Sequence, residues 1–147
     1  MQLQISSGLL YPLLPFIAWL ASGTLKYAIN TIRHGQEARK LIGNGGFPST
    51  HTAVVSSVAM LTGFDQGWST PLFGLAVALT FIVMIDAVGI RRAVGESAER
   101  INALTLEISA AAETKKLRER QGHTRLEVSG GLALGMLLGF VASRLLV

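Results

Sequence analysis

The sequence has 147 residues and no cysteine. That single absence excludes disulfides, thiolate metal sites and cysteine nucleophiles, and it leaves the redox compartment open. Charge is scarce too: 15% of residues are charged, against roughly a quarter in ordinary soluble domains. No charged side chain precedes Lys26, and the chain has neither internal repeats nor low-complexity tracts. What it has instead is apolar content. Hydrophobic residues make up 50% and the mean hydropathy is +0.46, which excludes intrinsic disorder. The length suits one domain, residues 1–147, and the composition puts that domain in a membrane.

Residues 9–29 read as one apolar stretch with Pro12 and Pro15 near its start. A helix of about 20 residues crosses a hydrocarbon core of about 30 Å, so this stretch is long enough to span. A cleaved signal peptide is the alternative, disfavoured because the basic leader is missing. Three further apolar stretches follow at 50–66, 69–90 and 128–147, the 69–90 stretch interrupted only by Asp86 and the last carrying Arg144 close enough to its end to snorkel. The stretch 50–66 is short, and spans only if its polar ends, Ser49–His51 and Gln66–Trp68, lie at the interfaces. The expectation is an all-α integral membrane bundle of about four transmembrane helices.

The basic residues sort by loop. Arg33, Arg39 and Lys40 lie between the first two stretches. Arg91, Arg92, Arg100, Lys115, Lys116, Arg118, Arg120 and Arg125 lie between the last two, and the loop near Asp65–Thr70 has none. With four spans both basic loops share one side, which the positive-inside rule places in the cytoplasm. In a bacterium this would be the cell inner membrane. These charges flank membrane segments, so nucleic acid is a poor reading of them. Within the second basic loop Val94, Ala98, Ile101, Leu104, Ile108 and Ala111 recur every three or four positions, with Glu96–Arg100 as an i,i+4 pair. This predicts a cytoplasmic amphipathic helix over roughly 93–120. Gly131, Gly135 and Gly139 form a ridge at i, i+4, i+8 that lets another helix approach closely. The ridge serves either packing within one chain or a homo-oligomer, and the 93–120 helix is a second possible contact between subunits.

Polar residues in or beside membrane helices are costly and mark function by default. Here they gather at one level. Lys26 and Arg33 stand at the end of the first stretch and His51 at the start of the second. Asp86, Arg91 and Arg92 stand at the end of the third, and His123 and Glu127 at the start of the fourth. The run Gly45-Gly46-Phe47-Pro48-Ser49-Thr50-His51 has the composition of a helix start whose free N–H groups bind anions, phosphate above all. It is equally the signal of a plain helix cap.

These residues resemble, in order, the signatures of the type 2 phosphatidic acid phosphatase superfamily, related to acid phosphatases and vanadium haloperoxidases. Lys26-x6-Arg33 resembles lysine-x6-arginine-proline, and Pro48-Ser49-Thr50-His51 resembles proline-serine-glycine-histidine. The third signature, serine-arginine-x5-histidine-x3-aspartate, is split: Arg91-Arg92 come first and His123-x3-Glu127 follows the amphipathic segment. That split, with Asp86-Ala87-Val88-Gly89-Ile90-Arg91-Arg92 and Gly122-His123-Thr124, resembles the divergent membrane branch of the superfamily. His34, Thr50 and Glu127 stand where the signatures have proline, glycine and aspartate.

The resemblance implies a lipid phosphatase that works without metal or cofactor. In it His123 would be the nucleophile that forms a phosphohistidine, His51 the general acid and then base, and Glu127 the group holding the His123 ring. Thr124-Arg125-Leu126-Glu127 also reads as a capping box, so Glu127 has a structural role open to it. Lys26, Arg33, Ser49, Thr50 and one or both of Arg91 and Arg92 would bind the phosphate. Asp86 has no counterpart in the three signatures; by its position it would pair with Lys26 or an arginine and orient that cation. The partner implied is a phosphorylated membrane lipid, with phosphatidylglycerol phosphate or phosphatidic acid favoured. Alternatives are an undecaprenyl pyrophosphate phosphatase, a lipid-phosphate-binding scaffold without catalysis, and a small transporter.

Overall fold

A computed structural model of the chain describes residues 7–35, 46–108, 116–119 and 121–145, except for the side chains of Ser7, His34 and residues 106–108. Arg39, Lys40, Gly45, Ala111, Lys115 and Arg120 lie outside the described residues. All regular structure among those described is helical: α1 (Ser7–His34), α2 (Thr50–Gln66), α3 (Pro71–Val88), α4 (Ile90–Ile108) and α5 (Arg125–Ser143). Among the described residues three segments are long and apolar enough to cross a membrane, Gly8–Arg33, Pro71–Thr105 and Arg125–Ser143.

The fourth expected span, residues 50–66, forms α2 but is not among those three. Its 17 residues reach about 26 Å at 1.5 Å per residue, short of a core of about 30 Å. Its place in the bundle explains its composition. α2 is the central helix, packing most extensively on α5 and also on α3 and α1. It buries Thr52, Ala53, Ser56, Ser57, Ala59, Leu61, Thr62 and Gly63. A helix surrounded by protein needs small residues more than lipid-loving ones. Its buried hydroxyls return to their own helix: Ser56 Oγ donates to the Thr52 carbonyl (2.7 Å) and Thr62 Oγ1 to that of Val58 (2.8 Å). Among the described residues no buried side-chain polar atom lacks a partner.

The α2–α5 contact consumes the glycine ridge. A Cβ on Gly131 would run into the Ser49 carbonyl, one on Gly135 into Ala53 and Ser56, and one on Gly139 into Ser57 and Met60. The ridge therefore joins two helices of one chain and is not free to join two chains. On α1, Leu10, Leu14, Ala18 and Ser22 form a buried i, i+4 row. The next member of that row is Lys26. At the end of the bundle away from Lys26, Phe64, Trp68, Phe73 and Phe140 cluster with ring centroids 5.0–5.5 Å apart. Arg144 lies over the Phe140 ring at 4.6 Å. Aromatic and basic residues of this kind sit at a membrane interface.

The amphipathic helix departs from its expected form. α4 follows α3 after the single residue Gly89, earlier than expected, and its described part ends at Ile108. Residues 116–119 are not helical and return alongside α4, so the expected helix over 93–120 does not run to its end; its described helical part is Ile90–Ile108. The face turned to the return segment carries Gly95, Ala98 and Asn102, while Val94, Ile101 and Leu104 are exposed. Glu96 takes Arg92, one turn earlier, as its partner (3.3 Å).

Candidate active site

Backbone bonds stitch three helix ends together. The Ser49 N–H donates to the Glu127 carbonyl (2.8 Å), tying the start of α2 to the first turn of α5. The His123 N–H donates to the Ala87 carbonyl (2.8 Å), tying the segment before α5 to the end of α3. Gly122 makes the turn between them with φ +82°, where a Cβ would press on the backbone of Arg92 and Ala87. The outcome is that His51 and His123, 72 positions apart in the chain, have ring centroids 6.3 Å apart.

Both rings line a pocket of about 560 Å³ together with Lys26, Thr50, Asp86 and Arg91. Lys26 comes from α1, His51 and Thr50 from α2, Asp86 from α3, Arg91 from α4 and His123 from the turn before α5. Arg91 donates from Nε to Asp86 Oδ2 (2.5 Å), so the carboxylate orients the guanidinium. Arg92 turns the other way, to Glu96 on the exposed side of α4. Between the two arginines left open by the sequence, Arg91 is the one in the pocket. Arg33 is exposed and does not line it.

Ser49 is also outside the pocket. It is fully buried as the N-cap of α2, its Oγ accepting from the Thr52 hydroxyl (3.1 Å) and the Thr52 N–H (3.5 Å). Glu127 does both things open to it. Thr124 Oγ1 accepts from the Glu127 N–H (3.2 Å) and Glu127 Oε2 accepts from the Thr124 N–H (2.8 Å), a complete capping box. The same Oε2 lies 3.2 Å from His123 Nδ1. A carboxylate only accepts, so the proton of the neutral ring sits on Nδ1 and the Nε2 lone pair is free. Burial holds the His123 pKa below the ordinary histidine value. The charges of Lys26 and Arg91 press the same way, while Glu127 opposes them. Neutral imidazole is the nucleophilic form.

The rest of the pocket is apolar: Trp19, Val54, Val55, Ile82 and Val83. Sequence reasoning missed these five, though helical spacing marks them. Val54 and Val55 lie one turn beyond His51, Ile82 and Val83 one turn before Asp86, and Trp19 two turns before Lys26. α1 and α3 do not pack on each other, so this apolar part opens between them. Among the described residues no three His, Asp or Glu side chains gather as a metal-ligand group.

The protein is thus a helical membrane protein that gathers two imidazoles, two cations and an oriented carboxylate at one end of its bundle. Residues 10–138 match the divergent PAP2 family, and the chain belongs to that family. It is also 36% identical over 110 residues to the uncharacterised membrane protein YuiD of Bacillus subtilis (strain 168), covering 66% of this chain and 70% of YuiD. No solved structure matches.

Proposed function

We propose that this protein is a lipid phosphatase. His123 Nε2 attacks the phosphorus of a lipid phosphate, and the bond from phosphorus to the leaving oxygen breaks. His51, entering protonated, gives that oxygen its proton. The phosphohistidine is then attacked by water, whose proton passes to the now neutral His51 as the N–P bond breaks and phosphate departs. Lys26 and Arg91 face the phosphoryl oxygens as charge builds, and Thr50 adds a hydroxyl and a helix-start N–H. Glu127 holds the His123 proton and balances the charge on the phosphorylated ring. In this reading Ser49 acts through the backbone it caps, and Arg33 and Arg92 stand outside the reaction.

The observation that carries the reading is the pair of imidazoles from two separate helix ends, meeting in one pocket with two cations. The apolar remainder of the pocket supports a lipid substrate, whose chain would leave between α1 and α3. Because the basic loops 33–47 and 91–127 adjoin this end, we place it at the cytoplasmic face. Lipids phosphorylated on that leaflet, phosphatidylglycerol phosphate or phosphatidic acid, are the favoured substrates, ahead of undecaprenyl pyrophosphate.

The test is phosphate release by the purified protein in detergent, over a panel of lipid phosphates with chelator present, beside His123→Ala. Release that the variant loses supports the proposal. A folded wild-type protein that binds these lipids and releases nothing would leave a lipid-binding scaffold as the reading.

A further inference from the structure

The segment that delivers His123 is held along α4 by a row of contacts, and the far end of that row is a buried side-chain amide. Asn102 is 7% exposed. Its Nδ2 donates to the Leu117 carbonyl (2.9 Å) and to Glu119 Oε1 (2.8 Å), and its Oδ1 accepts from the Leu117 N–H (2.9 Å). One amide thus satisfies both backbone groups of Leu117, as a paired strand would. Two turns nearer the pocket, Gly95 leaves room for the Glu119 carbonyl and for Gln121; a Cβ there would collide with Glu119. Gly122 then lies against the Arg92 backbone, and the His123 N–H reaches the Ala87 carbonyl.

A buried amide in a short helix is costly unless its bonds are made, and once made they define a single register. Slippage of the return segment along α4 would carry His123 with it. Neither the five-residue spacer of the unsplit third signature nor any part of the pocket requires an asparagine at this place.

We infer that Asn102 is a positioning residue: by locking Leu117 and Glu119 to α4 it sets where the His123 ring stands relative to His51 and Arg91. This rests on the phosphatase reading for its effect on turnover, and on geometry alone for its effect on the ring. The groups that face His123 are Lys26 of α1, His51 of α2, Asp86 of α3, Arg91 of α4 and Glu127 of α5. A loosened segment moves the imidazole away from that set and lets water reach it.

The experiment uses the full chain in detergent with two readouts, steady-state phosphate release and the titration of the His123 ring by nitrogen-15 NMR. Asn102→Ala and Asn102→Asp are compared with the wild type. Asp fills the same volume but loses both donated bonds and faces Glu119 with like charge, so it breaks the lock without opening a cavity. Gly95→Ala leaves the amide intact and displaces the segment at Glu119, and it carries the test if Asn102→Ala does not fold. All three should lower kcat about 10- to 100-fold with KM within about twofold, the signature of misplaced catalytic groups. In all three the His123 titration should rise toward the ordinary value of about 6.5. Wild-type turnover together with a wild-type titration in Asn102→Asp and Gly95→Ala overturns the inference. If the wild type releases no phosphate from any lipid, the phosphatase reading falls. The titration still decides the positioning role: a raised value supports it and an unchanged one removes it.

Discussion

At His123 the two ring nitrogens have different work. Nδ1 is engaged by Glu127, and in the proposed reaction Nε2 attacks phosphorus, which requires a neutral ring. Burial keeps it neutral at lower pH than an exposed histidine, and under the proposed mechanism this would set the acid limb of the rate profile. The limb of kcat/KM that reports the nucleophile is expected below about pH 6.5, measured by phosphate release across pH. The same shift has a stability consequence. Above the unfolded value both states carry a neutral ring and His123 contributes nothing. As pH falls through it, the unfolded chain binds a proton the folded chain refuses, and stability declines until the folded value is passed.

Glu127 can be dissected because glutamine is also a good capping-box residue at this position. Glu127→Gln should keep the thermal stability of the wild type and lose roughly 10²- to 10⁴-fold in kcat, the range for losing a carboxylate that orients a catalytic imidazole. Glu127→Ala should lose the activity and also about 1 kcal/mol of stability from the broken cap. Equal activity in Glu127→Gln and wild type would mean the carboxylate only caps. The arginines separate in the same assay. Arg91→Ala is expected to cost about 100-fold or more in kcat, as when one charge-stabilising donor is lost. Arg92→Ala should stay within about twofold, since its guanidinium pairs with Glu96 at the exposed surface.

Among the elements, α2 decides how the site is assembled, and its partner is the glycine face of α5. At Gly135 a new methyl would meet the Ala53 carbonyl and the Ser56 hydroxyl, whereas at Gly23 nothing stands within 4 Å. Gly135→Ala is therefore expected to destabilise by about 1–3 kcal/mol through overpacking. Gly23→Ala should be neutral or slightly stabilising, because alanine is the better helix former. Thermal unfolding in one detergent compares the two directly, and a neutral Gly135→Ala would contradict the close α2–α5 approach. The same approach explains why the ridge could not be assigned from sequence: glycines at i, i+4, i+8 look alike whether the opposing helix is in the same chain or another. Asn102 was hidden for a related reason. Its partners lie 15 and 17 positions away on a segment where the sequence led to the expectation of a continuing helix.

For the whole molecule, disposition in the bilayer follows from which helices can cross it. α1, the Pro71–Thr105 segment and α5 have the length to span, and α2 lies among them as a shorter, largely protein-facing helix. If α2 nevertheless runs from one interface to the other, the loops at Arg39 and Ser69 face opposite sides. Single cysteines introduced there, in a chain with no cysteine of its own, should be labelled from opposite sides of sealed vesicles. Labelling of both from one side would break the topology on which the cytoplasmic placement rests.

Composition and the order of motifs were enough to determine a helical membrane protein of this family and to name the polar residues of four helix ends. Local capping was legible as well: Thr124–Glu127 is both the signal and the structure. Those properties depend on neighbours in the chain, and hydropathy, caps and short motifs are written in neighbours. Only the tertiary structure decided the rest. It put Arg91 rather than Arg92 into the pocket, withdrew Ser49 into a cap and left Arg33 outside. It closed the glycine ridge on α2 and turned the end of the amphipathic segment back along α4. Each of these depends on which face of a helix meets which other helix, and that follows from close approach between segments far apart in sequence.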